Sequence, residues 1–431
     1  MNKTLLYCVL LAGVSPLGQA ADPPNAGQTG AQRLEKLERQ LKAVEKRAAR
    51  AERLARQARR AARPPKRANA FNPAISLILN GAFSSYSRHD DYHLPGFALG
   101  EEAGLAPEGF SLGESELTIA ANTDHYWRGQ LTLSLEDEGS ETVSSAEEAF
   151  VETLGLGHGL TFRAGRFFSA LGYLNGKHAH AWNFGDAPLI YRGLFGDQLK
   201  QDGVRLSYLA PTDRYLEISL EAGNGQSFPA GGAHAGIGDW VAALKTGGDI
   251  GDSHSWQLGL SRFHAGHIAD RAAATHRFSG DSRISGLDLV YKWAPHGNSR
   301  ERGLTLQAEY FQRHENGQLQ VGDAVSPGYH GEQRGWYAEA LYRFRQQWRI
   351  GLRYDRLGSA NSASDAAVLQ QADLADTGHN PHRVSVMLEW SPSEFSRVRL
   401  QYDRDNSTAA GDDELFLQYT QALGSHGAHS Y

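Results

Sequence analysis

Cysteine is all but missing from this chain of 431 residues, and the single one, Cys8, lies inside an N-terminal apolar run. Disulfides, thiolate metal sites and cysteine nucleophiles are therefore excluded from whatever folds after that run. Long apolar stretches are missing too. No uninterrupted run reaches the roughly 18 residues with which a helix crosses a bilayer, and the mean hydropathy is −0.48, so a helical membrane protein is excluded. Lysine is scarce beyond residue 68, where only Lys177, Lys200, Lys245 and Lys292 occur, and 24 arginines there face 44 acidic residues. That acidic balance argues against a nucleic-acid partner. Neither a P-loop nor a His-Glu-x-x-His stretch is present. Gly109-Phe110-Ser111-Leu112-Gly113 fits G-x-S-x-G, but it ends a long connection and leads into a strand, whereas a nucleophile elbow needs a strand before it and a helix after. With 48 glycines in the chain a chance match is the better account, and no enzyme is expected.

The N-terminus carries Lys3, an apolar run from Leu5 to Val14, and small residues at Gly18 and Ala20. This is the pattern of a signal peptide, residues 1–20, with cleavage expected after Ala20. A Pro/Gly/Asn-containing linker, 21–30, follows. Apolar residues then recur at Leu34, Leu37, Leu41, Val44, Ala48, Ala51, Ala55, Ala58 and Ala62. The 3-4 spacing predicts a basic coiled-coil helix over 31–63. Alanine at its last five seam positions weakens the drive to associate, so a lone solvated helix is the alternative. Pro64-Pro65 ends it and opens a linker, 64–73. Residues 33–67 carry a net charge of +10, while residues 68–431 carry −16. A basic stalk precedes an acidic body.

From Ile75 onward the period becomes 2. Leu216, Ile218 and Leu220 alternate with Glu217, Ser219 and Glu221, and Ile350, Leu352 and Tyr354 alternate with Arg349, Gly351, Arg353 and Asp355. One face is wet and one is apolar. Sixteen such strands can be counted between residues 74 and 423. Their connections alternate between long segments (87–113, 168–201, 223–238, 264–282, 312–333 and 357–381) and short turns (123–125, 210–214, 345–347 and 391–395). A soluble sandwich has no reason to keep that rhythm, whereas a transmembrane β-barrel with long loops at one end and tight turns at the other does. Seven of the eight tryptophans lie at or beside expected strand ends, Trp127, Trp256, Trp293, Trp348 and Trp390 near short turns and Trp240 and Trp336 below long loops. They form two interfacial girdles. The fold expected is an all-β antiparallel barrel over 74–431, ending in a strand that shares parity with the terminal Tyr431.

The segment Gly165-Arg166-Phe167-Phe168-Ser169-Ala170-Leu171-Gly172-Tyr173-Leu174-Asn175, continuing through His178-Ala179-His180-Ala181-Trp182 to Asp202-Gly203-Val204, resembles the phosphate-selective porin-like superfamily of outer-membrane porins. That resemblance implies a passive, trimeric porin in the bacterial outer membrane, a stalk in the periplasm, and a constricting loop spanning 168–201. It covers most of the chain in architecture but only about forty residues in motif. Phosphate selection does not carry over, because the rows of pore lysines and arginines it relies on are thin here.

Strand parity points a set of charges into the lumen. Arg128, Arg163, Arg205, Arg343, Arg349, Arg353, Arg397 and Arg399 are its basic members; Glu116, Glu136, Glu217, Glu221, Asp288, Glu309, Glu339, Asp355, Glu389 and Asp403 are acidic. Rings of such charges set the ions a pore favours, and the alternative is that they pair across the ladder and stiffen the wall. In loop 168–201 the expected constriction residues are Lys177, His178, His180, Trp182 and Asp186. Close histidine pairs, His89/His93, His178/His180 and His264/His267, have the chemistry to hold Zn²⁺, although their spacing is not a strong metal signature. Some relatives of this type are associated with zinc-limited growth, so zinc uptake or binding stands as the alternative to a diffusion channel for small hydrophilic solutes or ions. Expected partners are outer-membrane lipid, two further copies of the chain, and peptidoglycan, whose carboxylates suit a basic stalk.

Overall fold

The computed structural model describes residues 73–424, apart from 89–91, 101–102, 139–140, 233–234 and 274. The leader, the 21–30 linker, the expected coiled-coil helix, nearly all of linker 64–73 and His89 lie outside the described residues.

Strands dominate, and they follow one another as neighbours. The first half comprises β1 (Ala74–Tyr86), β2 (Gly109–Leu112), β3 (Ser115–Asn122), β4 (Trp127–Glu138), β5 (Glu141–Thr153), β6 (Leu160–Phe168), β7 (Lys200–Leu209) and β8 (Tyr215–Gly223). The second comprises β9 (Asp239–Ile250), β10 (His254–Ala272), β11 (Arg277–Trp293), β12 (Gly303–Val321), β13 (Ala324–Arg345), β14 (Trp348–Ser359), β15 (His382–Ser393), β16 (Ser396–Asn406) and β17 (Asp412–Gly424). Each of β3 to β16 pairs antiparallel with the next, and β17 returns to β1 with Leu77 opposite Leu423. The ladder therefore closes and no edge is left to satisfy. Both β2 and β3 pair with β1, Ser84–Gly81 taking Gly109–Leu112 and Ile78–Ala74 taking Glu116–Ala120. They are one strand broken by a bulge at Gly113-Glu114, which makes the barrel sixteen-stranded. The G-x-S-x-G match is the upper half of that strand and forms no elbow.

The period-2 pattern is realised as two chemically opposite faces. Ile218, Leu220 and Leu352 point outward with 43%, 54% and 53% of their surface exposed, while Ser219, Glu221 and Arg353 on the same strands are buried. Trp127, Trp240, Trp336 and Trp390 are exposed on the outer wall, with Trp390 stacked on Trp348, ring centroids 6.2 Å apart. A lipid-facing midwall position tolerates a leucine and rejects a guanidinium, so Ile218→Arg is expected to destabilise the barrel by about 2–4 kcal/mol. Glu217→Arg, one residue away on the inner face, is expected to be close to neutral. Urea titration of both variants in the same bilayer checks this; equal damage from the two would mean that the wall does not separate lipid from lumen.

Several connections are shorter than the sequence suggests. Segment 264–282 is not a loop: β10 runs on to Ala272 and β11 starts at Arg277, and β12 and β13 run through 312–333 to a turn at Gly322-Asp323. β13 is 22 residues long, about twice what a tilted strand needs to cross a bilayer. Beyond the girdle the outward positions become polar, so hydropathy alternation fades there while burial alternation continues. Phe278, Arg313, Glu315, Leu319 and Tyr329 are still buried inside. Arg271 clamps Glu315 at 2.5 Å and Arg313 Nε donates to Gln333 at 2.9 Å.

Candidate pore constriction

Loop 169–199, between β6 and β7, lies inside the barrel. It carries a short helix, Leu189–Phe195, every residue of which is buried and which ends on Gly196 in the left-handed region. Leu171, Leu189, Ile190, Leu194 and Phe195 have 1% exposure or less and pack on Phe263, Phe311 and Tyr337 of the wall. At roughly 1.5–3 kcal/mol for each such side chain, the apolar contact alone is a strong reason for the loop to fold inward.

Polar anchors then fix its path. At the neck, Asn175 Nδ2 donates to the carbonyls of Ser169 and Leu199, and the Leu199 amide donates back to Asn175 Oδ1 at 2.7 Å. Outside the neck Arg166 and Asp202 pair at 2.6 Å, so the two ends of the family-like motif meet across β6 and β7. Glu221 accepts from Ser169 Oγ, the Ala170 amide and Arg205 Nε. Glu309 accepts four hydrogen bonds, from the amides of Tyr173 and Leu174 and from the hydroxyls of Tyr191 and Tyr337, at 2.6–2.9 Å. Gly172, at φ +68°, passes this carboxylate so closely that a β-carbon would collide with it.

The second half of the loop is held by arginines. Arg397 Nη2 donates to the His180 carbonyl at 2.5 Å, Arg399 Nη2 to that of Trp182 at 2.7 Å, Arg353 Nη1 to that of Asp186 at 3.0 Å and Arg383 Nη2 to that of Ala187 at 2.8 Å. Arg349 Nη1 donates to Asn183 Oδ1 at 3.0 Å, and Asn183 Nδ2 donates to Glu339 at 2.5 Å. Asp186 is the hub, with Arg383 at 2.7 Å, Arg353 at 2.9 Å and Arg192 at 3.4 Å. Burial alone would raise its pKa, but the three guanidinium groups hold the carboxyl well below its ordinary range. Asp355 accepts the Leu189 amide at 2.9 Å, at the start of the helix.

Near the short-turn end His178 bridges Glu116 and Glu148 at 2.9 and 3.1 Å, and His180 reaches the same Glu116 at 2.5 Å. The two imidazoles stack, and Phe168 meets His178 edge-on. Burial pulls the pKa of His178 down, yet hydrogen bonds and charge from Glu116 and Glu148 raise it well above 6.5. A raised histidine pKa gives stability that is complete below the unfolded value near 6.5 and is lost as pH climbs through the folded value. Hydrogen exchange over 177–183 is therefore expected to step up in alkaline buffer beyond the intrinsic rate, and His178→Gln to abolish the step. An unchanged step in the variant would assign the loosening to another group.

The residues expected in the lumen divide into two sets. Glu116, Glu221, Glu309, Glu339, Arg349, Arg353, Asp355, Arg397 and Arg399 touch the loop, and Arg205 supports it through Glu221 while donating to the Phe168 carbonyl at the end of β6. Arg163, paired with Glu152 and stacked 4.1 Å over Phe150, and Glu217, bonded to Tyr215 and Ser219, stay on the wall away from it. Arg343 is half-buried at the short-turn end and donates to the Gln346 carbonyl. Lys177 lies 4.3 Å over the Tyr173 ring, and burial lowers its pKa. Trp182 is buried, its indole N–H bonded to the Lys177 carbonyl. The histidine pairs do not converge: His178 and His180 are inside, His264 packs on Trp240 of the outer wall, His267 is exposed, and His93 lies in the loop after β1. Among the described residues no group of three His, Cys, Asp or Glu side chains could hold a metal ion. Arg383, fully buried at the hub, is absent from the sequence-derived set although its parity matches Ser385 and Glu389. Glu148, Arg192, Gln401 and Asn183 are also absent from it, and nothing in a period-2 pattern marks a loop residue such as Asn183.

A cavity of about 650 Å³ opens at the short-turn end and abuts the loop at His180. At the other end, cavities of about 430 Å³ beside Phe195 and Arg271 and about 240 Å³ beside Tyr92 and Glu414 share no lining residue with it.

No family model matches the chain. A protein of Aquifex aeolicus (strain VF5), described as uncharacterized, is 30% identical over 402 residues, which span 85% of this chain and 81% of that one. Among solved structures, the outer membrane channel DcaP of Acinetobacter baumannii matches with a TM-score of 0.53 at 11% identity, over 81% of this chain and 97% of that chain. The loop L8 deletion mutant of OmpT, an outer membrane protein of Vibrio cholerae, gives 0.51 at 11% identity, over 82% and 100%. At such identities the likeness is one of fold, and a barrel of this porin-like kind is consistent with the bacterial outer membrane.

Proposed function

We propose that the chain, which belongs to the same family as the Aquifex aeolicus protein, is an outer-membrane porin: a passive diffusion channel for small hydrophilic solutes or ions. One observation carries this reading. A closed barrel with an apolar outer wall encloses a charged inner wall, and loop 169–199 folds into the lumen and meets those charges, with Leu94, Phe97, Val368 and Leu369 of two further loops packed in the same core. Charged residues facing such a lumen set what passes. The purified protein in planar bilayers is expected to give discrete conductance steps, with a reversal potential in a salt gradient that reports the favoured sign. A folded barrel that gives no steps would overturn the reading in favour of a structural role. The same reading takes the barrel as a homotrimer, with residues 31–63 in the periplasm facing the carboxylates of peptidoglycan.

A second reading, zinc uptake or binding, starts from the stacked pair His178 and His180 and would need ligands from beyond the described residues. The pair's ring nitrogens are within hydrogen-bonding distance of Glu116 and Glu148, which is an arrangement for protons as much as for a metal. Saturable zinc binding lost in His178→Gln would favour it over the plain channel.

A further inference from the structure

The cavity at the short-turn end has a lining of unusual sign for this acidic protein. Arg300, Arg343, Arg349 and Arg397 line it, against Glu389 and Glu394. Glu389 does not neutralise the group by itself: it takes Arg349 Nη2 at 2.7 Å, Arg399 Nη2 at 3.4 Å and Arg397 Nε at 3.8 Å, three cations to one carboxylate. The Nε–H groups of Arg349, Arg397 and Arg399 are buried and donate no hydrogen bond among the described residues. Elsewhere the same lining is apolar, with Ile78, Pro392, Phe395 and Ala422. The volume is that of a site for a small organic molecule.

We propose that this vestibule binds a small organic carboxylate, its carboxyl group held by Arg343, Arg349 and Arg397 and its apolar body resting on Ile78, Pro392 and Phe395. Guanidinium groups match a carboxylate with paired, charge-assisted hydrogen bonds. An inorganic anion would satisfy the arginines but leave the apolar lining uncovered, so the two surfaces together favour an anion with a hydrocarbon part. Occupancy has a consequence for the loop. Arg349 and Arg397 now donate to the neutral acceptors Asn183 Oδ1 and the His180 carbonyl, and a charged carboxylate is the stronger acceptor. The bound solute therefore competes for the groups that hold this part of the loop in place.

The site rests on the porin reading for its role, but its test does not require conduction. The full chain in detergent micelles is titrated calorimetrically with benzoate, with inorganic phosphate and chloride at matched ionic strength as comparisons. Benzoate is expected to bind saturably and at least about tenfold more tightly than either, since one good charge-assisted contact plus apolar burial is worth that much. Arg343→Gln, which removes no contact to the loop, is expected to weaken benzoate about tenfold while leaving heat-modifiable gel mobility unchanged. Arg300→Gln on the exposed turn serves as the second variant, expected to weaken it less. Benzoate no tighter than chloride, phosphate tighter than benzoate, or an Arg343→Gln protein that is folded and binds as before would each overturn the proposal. A protein that conducts but fails this titration loses only the site, and one that binds benzoate but never conducts loses only the channel.

Discussion

Deleting residues 174–187 is expected to raise single-channel conductance severalfold, because the narrowest cross-section of a pore dominates its resistance. The segment contains the loop acceptors of Arg353, Arg383, Arg397 and Arg399 and the buried Trp182 and Phe184. The barrel itself should survive. Its ladder closes through β1 and β17 without help from the loop, and the freed guanidinium groups gain water in the space vacated. Heat-modifiable mobility checks folding, and planar-bilayer recording checks the pore. A folded, deleted protein with unchanged conductance would show that solute passes somewhere other than beside this loop.

Asp186→Asn is expected to cost about 3–5 kcal/mol of loop attachment, the scale for removing one partner from a buried ion pair. The substitution keeps the shape but removes the charge on which Arg192, Arg353 and Arg383 converge. Asp355 and Asp405 remain near Arg383 at 3.7 and 3.8 Å, so the surplus is partly shared, which places the effect toward the lower end. The expected result is protease cleavage within 169–199 at concentrations that leave the native protein whole, together with noisier and larger conductance steps. Asp403→Asn, which removes a carboxylate that bonds Gln401 at 2.9 Å, should be far milder. Equal effects from the two would mean that the hub is a diffuse charge cluster with no single centre.

The wall was legible in the sequence because its physics is local. Outward Leu216, Ile218 and Leu220 must meet lipid and inward Glu217, Ser219 and Glu221 must not, and a period of 2 follows directly. Strand ends were less legible. In β10 to β13 the outward residues turn polar above the girdle, so nothing in the hydropathy distinguishes a projecting hairpin from a loop. The helix Leu189–Phe195 was invisible for another reason: it is seven residues long, follows Pro188 and has no side-chain N-cap, so tertiary burial and not local propensity forms it. Segment 168–201 carries Phe168, Tyr173, Trp182, Phe184 and Tyr191, more aromatics than a water-exposed loop needs, and these are a legible mark of an inward loop. Its individual anchors could not be read, since parity says that Arg399 faces inward but not that it meets a carbonyl 217 positions earlier in the chain.

That separation bears on how the protein is made. The loop leaves the chain after β6, whereas the arginines that hold it come from β14, β15 and β16, and Glu309 from β12. Contacts so far apart in sequence form only after the intervening chain is in place. During assembly the aromatic loop must therefore wait, uncovered and without its ion pairs, until the C-terminal strands arrive, and the lumen is stoppered last. A chain truncated before β14 would carry an exposed Trp182 and Phe184 and an unmatched Asp186, a form that quality-control factors binding exposed aromatic segments could tell from the finished barrel.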